Sequence, residues 1–77
     1  MNKILLFAGL QEKAGQAEVE LNAVNKSIAE IKSMLKESYQ MEEIDTSMAA
    51  VNEEYANGDF VVKEGDTIAF IPPVSGG

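Results

Sequence analysis

The residues best placed to do chemistry are the last two, Gly76-Gly77, which follow Pro72-Pro73-Val74-Ser75. A glycine pair has no Cβ, so it fits a narrow tunnel and takes any backbone conformation. A proline pair holds the chain extended and stiff. Five residues counted from Pro73 reach at most about 16–18 Å. The arrangement predicts a thin probe that presents one carboxylate, that of Gly77, inside another protein's active site. At an average glycine usage of about 7%, two terminal glycines fall together by chance in roughly 0.5% of chains. A frayed end with no role is the bland reading, and the preceding Pro-Pro-Val-Ser and strong strand weigh against it.

The residue types that are missing point the same way. The 77 residues include no Cys, His, Trp or Arg. Without His the chain lacks the side chain suited to proton transfer near neutral pH. Without Cys it has no thiol nucleophile or thiolate ligand. Without Arg it has no bidentate clamp for phosphate or carboxylate. Lysines and carboxylates remain, so a self-sufficient enzyme is unexpected rather than impossible. The net charge of −7, from 13 acidic against 6 basic residues, disfavours nucleic acid and anionic membrane surfaces. It suits a basic protein partner, although most individual carboxylates need do no more than keep the domain soluble. No metal site is expected: Asp59, Glu64 and Asp66 cluster near turns without a calcium-loop pattern. The four methionines are expected to be core filler or surface.

The elements that must position the tail can be read from periodicity. Lys3 to Ala8 is a continuous apolar run after Lys3, which predicts a strand buried on both faces in the middle of a sheet. Leu10 to Gly15 predicts one helical turn ended by Gly15. From Gln16 to Leu21 the alternation of Ala17, Val19 and Leu21 with Glu18 and Glu20 predicts a half-exposed strand pairing with the first. Ser27 and Glu30 have capping-box spacing. Ile28, Ile31, Met34 and Leu35 share one face of the helix that follows. Gln40 to Ser47 reads as a loop with at most a helical turn. Met48 to Asn52 reads as a short strand, Asn57-Gly58 as a turn, Phe60 to Val62 as a short extended segment, and Glu64 to Asp66 as another turn. Thr67 to Ile71 is the final strand, stopped by the prolines. The N-terminal apolar run is short for a signal peptide and is followed by Glu12 and Lys13, so it is read as a core strand of a cytoplasmic protein. No stretch is long enough to span a membrane.

This order predicts an α+β, β-grasp (ubiquitin-like) fold: a mixed sheet of four to five strands packed on one main helix, with the first and last strands as a parallel central pair. Residues 1–73 form the domain and residues 74–77 a flexible tail. Within the last strand, Ile68 and Phe70 are expected to face the helix. Ile71 is expected on the opposite sheet face, with Tyr55 as the aromatic best placed to join it in a docking patch.

The segment Phe70-Ile71-Pro72-Pro73-Val74-Ser75-Gly76-Gly77 resembles the C-terminal signature of molybdopterin synthase small subunits. Gly65-Asp66-Thr67-Ile68-Ala69-Phe70 resembles the family's approach to that tail, and Ala50-Val51-Asn52 its third strand. Leu6-Phe7-Ala8 with Gly15 resembles its first strand and turn; members commonly carry an Arg in that turn, and the nearby cation here is Lys13, a departure from the family. The resemblance implies a sulfur carrier. An adenylating enzyme related to ubiquitin-activating enzymes would use ATP to activate Gly77, and sulfur from a persulfide would replace AMP to leave a thiocarboxylate. The sulfur would then go to a cyclic pterin precursor in the large synthase subunit, which would supply the catalytic groups, and no cofactor would be held by this chain. Three alternatives stay open. They are a carrier for thiamine or for tRNA or cysteine sulfur transfer, a ubiquitin-like modifier joined to lysines through Gly77, and a β-grasp binding module with an inert tail.

Overall fold

The computed structural model describes residues 1–73, so Val74, Ser75, Gly76 and Gly77, and with them the expected flexible tail, lie outside the described residues. Five strands form one mixed sheet: β1 (Asn2–Leu6), β2 (Glu18–Leu21), β3 (Met48–Val51), β4 (Glu54–Ala56) and β5 (Thr67–Ile71). Their order across the sheet is β2-β1-β5-β3-β4. Between them lie a short helix α1 (Gly9–Ala14), the main helix α2 (Ile28–Tyr39) and a 3₁₀ turn (Glu42–Thr46).

The parallel pair is β1 with β5, which places Ile4 beside Ile68 and Leu6 beside Phe70. Antiparallel β2 and β3 flank it, so that Val19 meets Ile4, Val51 meets Ile68 and Ala49 meets Phe70. These partners share one sheet face because side chains alternate along a strand. Onto that face α2 lays Ile28, Ile31 and Leu35, all buried. Met41 and Ile44, from the start of the 3₁₀ segment, close one side of the core. The expected facing of Ile68 and Phe70 toward the helix is therefore found.

Helix α2 begins where its sequence says it should. The Ser27 hydroxyl accepts from the Glu30 amide at 3.2 Å, and the Glu30 carboxylate accepts from the Ser27 amide at 3.0 Å. The other first-turn donors are also taken. The Ile28 amide donates to the Phe60 carbonyl and the Ala29 amide to the Gly58 carbonyl, each at 2.9 Å. All the amides that a helix start leaves orphaned thus find acceptors. The loop from Asn57 to Phe60 is there to cap the helix rather than to turn a hairpin. Beyond it, Val61 makes only an isolated bridge with Ser27, while Val62 is fully buried.

Two expectations need correction. The first strand is not buried on both faces: Asn2, Ile4 and Leu6 are buried, but Lys3 is exposed and Leu5 half-buried. Only one face of the sheet carries a helix, so the opposite face stays open. The polar stretch around Tyr55, to which the periodicity assigns no element, is strand β4, paired antiparallel with β3. The turn that joins them is Asn52-Glu53, with φ of 51° and 72°. Two successive positive φ values give the type I′ geometry that matches strand twist, usually met by Asn-Gly. Glu53 is an unfavourable residue there, and the Asn52 side chain compensates. Its Oδ1 accepts from the Thr67 amide at 3.0 Å, and its Nδ2 donates to Asp66 at 2.8 Å.

Asn2 is the buried polar residue on which this end of the sheet depends. Its Nδ2 donates to the carbonyls of Lys63 and Asp66, at 2.8 and 3.0 Å, and its Oδ1 accepts from the Ala23 amide at 3.0 Å. One side chain thus ties the start of β1 to two loops. Leaving buried groups unpaired costs about 1–3 kcal/mol each, and a domain of this size has only about 4–12 kcal/mol in total. Asn2→Ala is therefore expected to lose about 2–4 kcal/mol, a drop that urea denaturation measures directly; a loss below half of that would show the loops are held by other contacts.

The Asp66 carboxylate lies below its ordinary pKa of 3.8, because the Lys63 amide and then the Asn52 side chain donate to it. A depressed carboxylate stabilises the fold above its unfolded pKa, and that contribution is lost as pH falls through the folded value. The stability of the wild type is expected to decline below about pH 4. Asp66→Asn should flatten this acid limb in thermal melts, and a limb of unchanged steepness would remove Asp66 from it.

Candidate functional site

The candidate site is built from the open face of the sheet and the point where the chain leaves it. The outward residues are Lys3 and Leu5 on β1, Glu18 and Glu20 on β2, Thr67, Ala69 and Ile71 on β5, Met48 and Ala50 on β3, and Tyr55 on β4. Charge divides this face in two. On the β2 side Lys3 pairs with Glu18 at 3.8 Å, beside Glu20. On the β3–β4 side the residues are apolar or aromatic. There Leu5, Ala69, Ala50, Ile71, Phe7 and Tyr55 line a shallow concavity of about 640 Å³, rimmed by Asn52, Glu53 and Thr67.

Ile71 and Tyr55, paired in the sequence reading, line this same concavity. Ile71 is half-buried, and Tyr55 is 72% exposed, the most exposed of the large apolar side chains. Phe7 at 45% and Met48 at 48% extend the patch. Sequence reasoning missed three of its members. Leu5 and Phe7 fall in a run that reads as a doubly buried strand, and the expectation for Met48, core filler or surface, does not place it in a patch. The signal available was alternation: in a sheet with one helical layer, Leu5 and Phe7 must point away from Ile4 and Leu6.

Parallel pairing brings the ends of β1 and β5 to the same edge. Leu6 sits beside Phe70, so the turn after β1 meets the chain as it leaves β5. Pro72 is half-buried and Pro73 exposed. Ala8, Gly9, Glu43 and Thr46 form a second shallow cleft against the two prolines. The turn Phe7-Ala8-Gly9-Leu10 is closed by the Leu10 amide on the Phe7 carbonyl at 3.1 Å, and Ala8 sits at φ 51°, ψ −126°. That is the first central position of a type II′ turn, normally occupied by glycine. A non-glycine residue there stores strain beside the exit of the chain. A Cβ at Gly9 would meet only the end of the exposed Glu43 side chain, which is free to swing away. Val74, Ser75, Gly76 and Gly77 follow from this point and lie outside the described residues.

Lys13 lies in the last turn of α1, whose backbone closes on Gly15 in the left-handed region at φ 76°. Asp66 and Glu64 are engaged locally, Asp66 as described and Glu64 with the N-terminal amino group. Among the described residues, no group of three or more acidic side chains is placed to hold a metal ion. Among them, too, no helix is long and apolar enough to cross a membrane.

Comparison with known proteins agrees with this arrangement. A molybdopterin synthase sulfur carrier subunit from Dictyostelium discoideum is 37% identical over 97% of this chain and 94% of its own length. The protein of the same description from Arabidopsis thaliana is 32% identical over 97% of this chain and 81% of its own. Among solved structures, SAMP1 from Haloferax volcanii superposes with a TM-score of 0.77 at 25% identity, covering 99% of this chain and 98% of that one. A putative molybdopterin converting factor subunit 1 from Pyrococcus furiosus gives 0.74 at 26%, covering 95% and 97%. The fold is thus the ubiquitin-like β-grasp. Residues 4–77, from the first residue of β1's apolar run to the final glycine, match the ThiS family, and the chain belongs to that family.

Proposed function

We propose that this chain is a sulfur carrier for molybdopterin synthesis, with Gly77 as the residue that is loaded and the apolar half of the open sheet face as its docking surface. The observation that carries the reading is geometric. The last strand, β5, places Ile71 in the apolar concavity and then releases the chain through Pro72-Pro73, so a partner that covers the concavity also receives whatever follows. The two relatives named as molybdopterin synthase sulfur carrier subunits support the chemistry assigned to that end.

The chemistry follows from the carboxyl group. A carboxylate is a poor acyl donor because oxide is a poor leaving group. Attack of the Gly77 carboxylate on the α-phosphate of ATP, with pyrophosphate leaving, gives an acyl adenylate. The terminal sulfur of a persulfide then attacks the acyl carbon and AMP departs. A second thiol cleaves the sulfur–sulfur bond and frees the thiocarboxylate. Delivery to a pterin precursor takes place in the large subunit, whose side chains supply the acid–base groups that a chain without His, Cys or Arg does not bring. A dithiolene has two sulfurs, so two loaded carriers serve each product.

The activating enzyme and the large subunit meet the same tail, so both use the face around Ile71. A modifier joined to lysines through Gly77 would begin from the same adenylate, and the likeness to the SAMP1 structure concerns the shared fold.

Purified chain incubated with activating enzyme, ATP and a persulfide donor is expected to gain the mass of one oxygen replaced by sulfur, located at Gly77 by peptide mapping. Removing Gly77, or adding one residue after it, should leave the melting temperature unchanged and abolish sulfur transfer. A chain extended past Gly77 and uncleaved that still supports the reaction would falsify the carrier reading, and recovery from cells as lysine conjugates alone would replace it with the modifier. Independently, Ile71→Asp is expected to weaken binding to the large subunit and to the activating enzyme by about tenfold or more while unfolding remains cooperative. Binding unchanged for both partners would move the docking surface elsewhere.

A further inference from the structure

With no cysteine in the chain, methionine carries its only side-chain sulfur, and the four methionines differ sharply in access. Met41 is fully buried in the core, Met34 half-buried on α2, and Met1 and Met48 are 60% and 48% exposed. The two exposed ones stand at opposite ends of the sheet. Met1 precedes β1 where that strand begins beside Thr67, and its amino group pairs with Glu64. Met48 opens β3 directly across from Ile71, the last strand residue before the chain exit. Its side chain also lines the groove between β4 and α2 together with Tyr55. Met48 thus stands at the edge of the apolar patch, register partner of Ile71 and lining one groove with Tyr55.

We propose that Met48 is a redox-sensitive modification site, at which a hydroperoxide converts the thioether to a sulfoxide and thereby weakens docking on the apolar half of the sheet. The inference rests on the docking role given to that face above. The step balances within its two reactants. A sulfur lone pair attacks one peroxide oxygen, the sulfur–oxygen bond forms as the oxygen–oxygen bond breaks, and sulfur is oxidised by two electrons; the proton of the transferred oxygen passes to the departing oxygen, which leaves as water from hydrogen peroxide or as an alcohol from an organic hydroperoxide. The product replaces a flexible apolar side chain with a polar, chiral one. A sulfoxide oxygen taken from water into an apolar contact without a hydrogen-bond donor is disfavoured; the Ile71 and Ala50 side chains have no donor, and the Lys32 ammonium in the adjoining groove is already given to the Ser47 carbonyl at 2.8 Å. Access runs the other way too. The free carrier exposes Met48, and a carrier docked through Ile71 covers it.

The test uses the full chain and the purified large subunit of molybdopterin synthase. Titration with hydrogen peroxide followed by peptide mapping is expected to oxidise Met48 and Met1 well before Met34 and Met41. Affinity for the large subunit should fall by about tenfold or more as Met48 oxidises, and methionine sulfoxide reductases should restore it. Met48→Leu should abolish the response to peroxide, whatever its own starting affinity, although Met1 still oxidises. In the complex, oxidation of Met48 should slow while that of Met1 does not. Full affinity with Met48 oxidised, or a Met48 no more reactive than Met34, overturns this inference alone. Failure of the untreated chain to bind the large subunit overturns the docking reading and this inference with it.

Discussion

The ladder that sets Ile4 beside Ile68 and Leu6 beside Phe70 joins the two ends of the chain, and the remaining geometry depends on it. A parallel pair cannot be closed by a short turn. Sixty residues separate β1 from β5 in this chain, and they supply the helix, the flanking strands and the cap of α2. Because both strands run the same way, the turn after β1 and the exit after β5 share one edge of the sheet. Had they been antiparallel, Pro72-Pro73 would emerge beside Met1, away from Phe7, Ala8 and Gly9.

One helical layer on one face leaves the other face without cover, and the chain treats its two halves differently. Beside β2, Lys3, Glu18 and Glu20 keep the surface hydrated. Beside β3 and β4, Leu5, Ala69, Ala50, Ile71 and Tyr55 make a continuous apolar area. Edge strands of only four residues in β2 and three in β4, with carboxylates at Glu18, Glu20 and Glu54, discourage strand-to-strand association, so the apolar area is offered face-on rather than through the sheet edges.

Most of this was legible where the information is local. The capping box at Ser27 and Glu30, the αL stop at Gly15, the alternation in β2 and β5, and the proline stop after Ile71 each lie within a few residues of their cause. What was missed depends on distant partners. Asn2 looks like an ordinary polar residue before an apolar run, and only the fold reveals that its amide serves carbonyls at Lys63 and Asp66. Strand β4 was hidden because its turn uses Asn52-Glu53 rather than Asn-Gly. The stronger Asn57-Gly58 signal drew attention to a loop that caps α2 instead. The apolar run from Ile4 to Phe7 was misread for a related reason. Periodicity records that Leu5 and Phe7 are apolar, not whether the surface they face belongs to the same chain.

That misreading bears on how the site works. An apolar residue on the open face adds less to the stability of the free domain than a core residue does, since it remains partly in water; Tyr55 at 72% exposure gains most of its transfer free energy, and Phe7 at 45% nearly half, only when something covers them. The strained Ala8 turn at the same edge adds nothing to folding either. Features that cost or fail to help the isolated fold therefore gather around the exit at Pro72-Pro73, while the features that hold it together, the α2 cap, the Asn2 clamp and the Ile4–Ile68 ladder, lie on the core face or at the opposite end. Such segregation lets residues around the exit change to suit a partner without loosening the core.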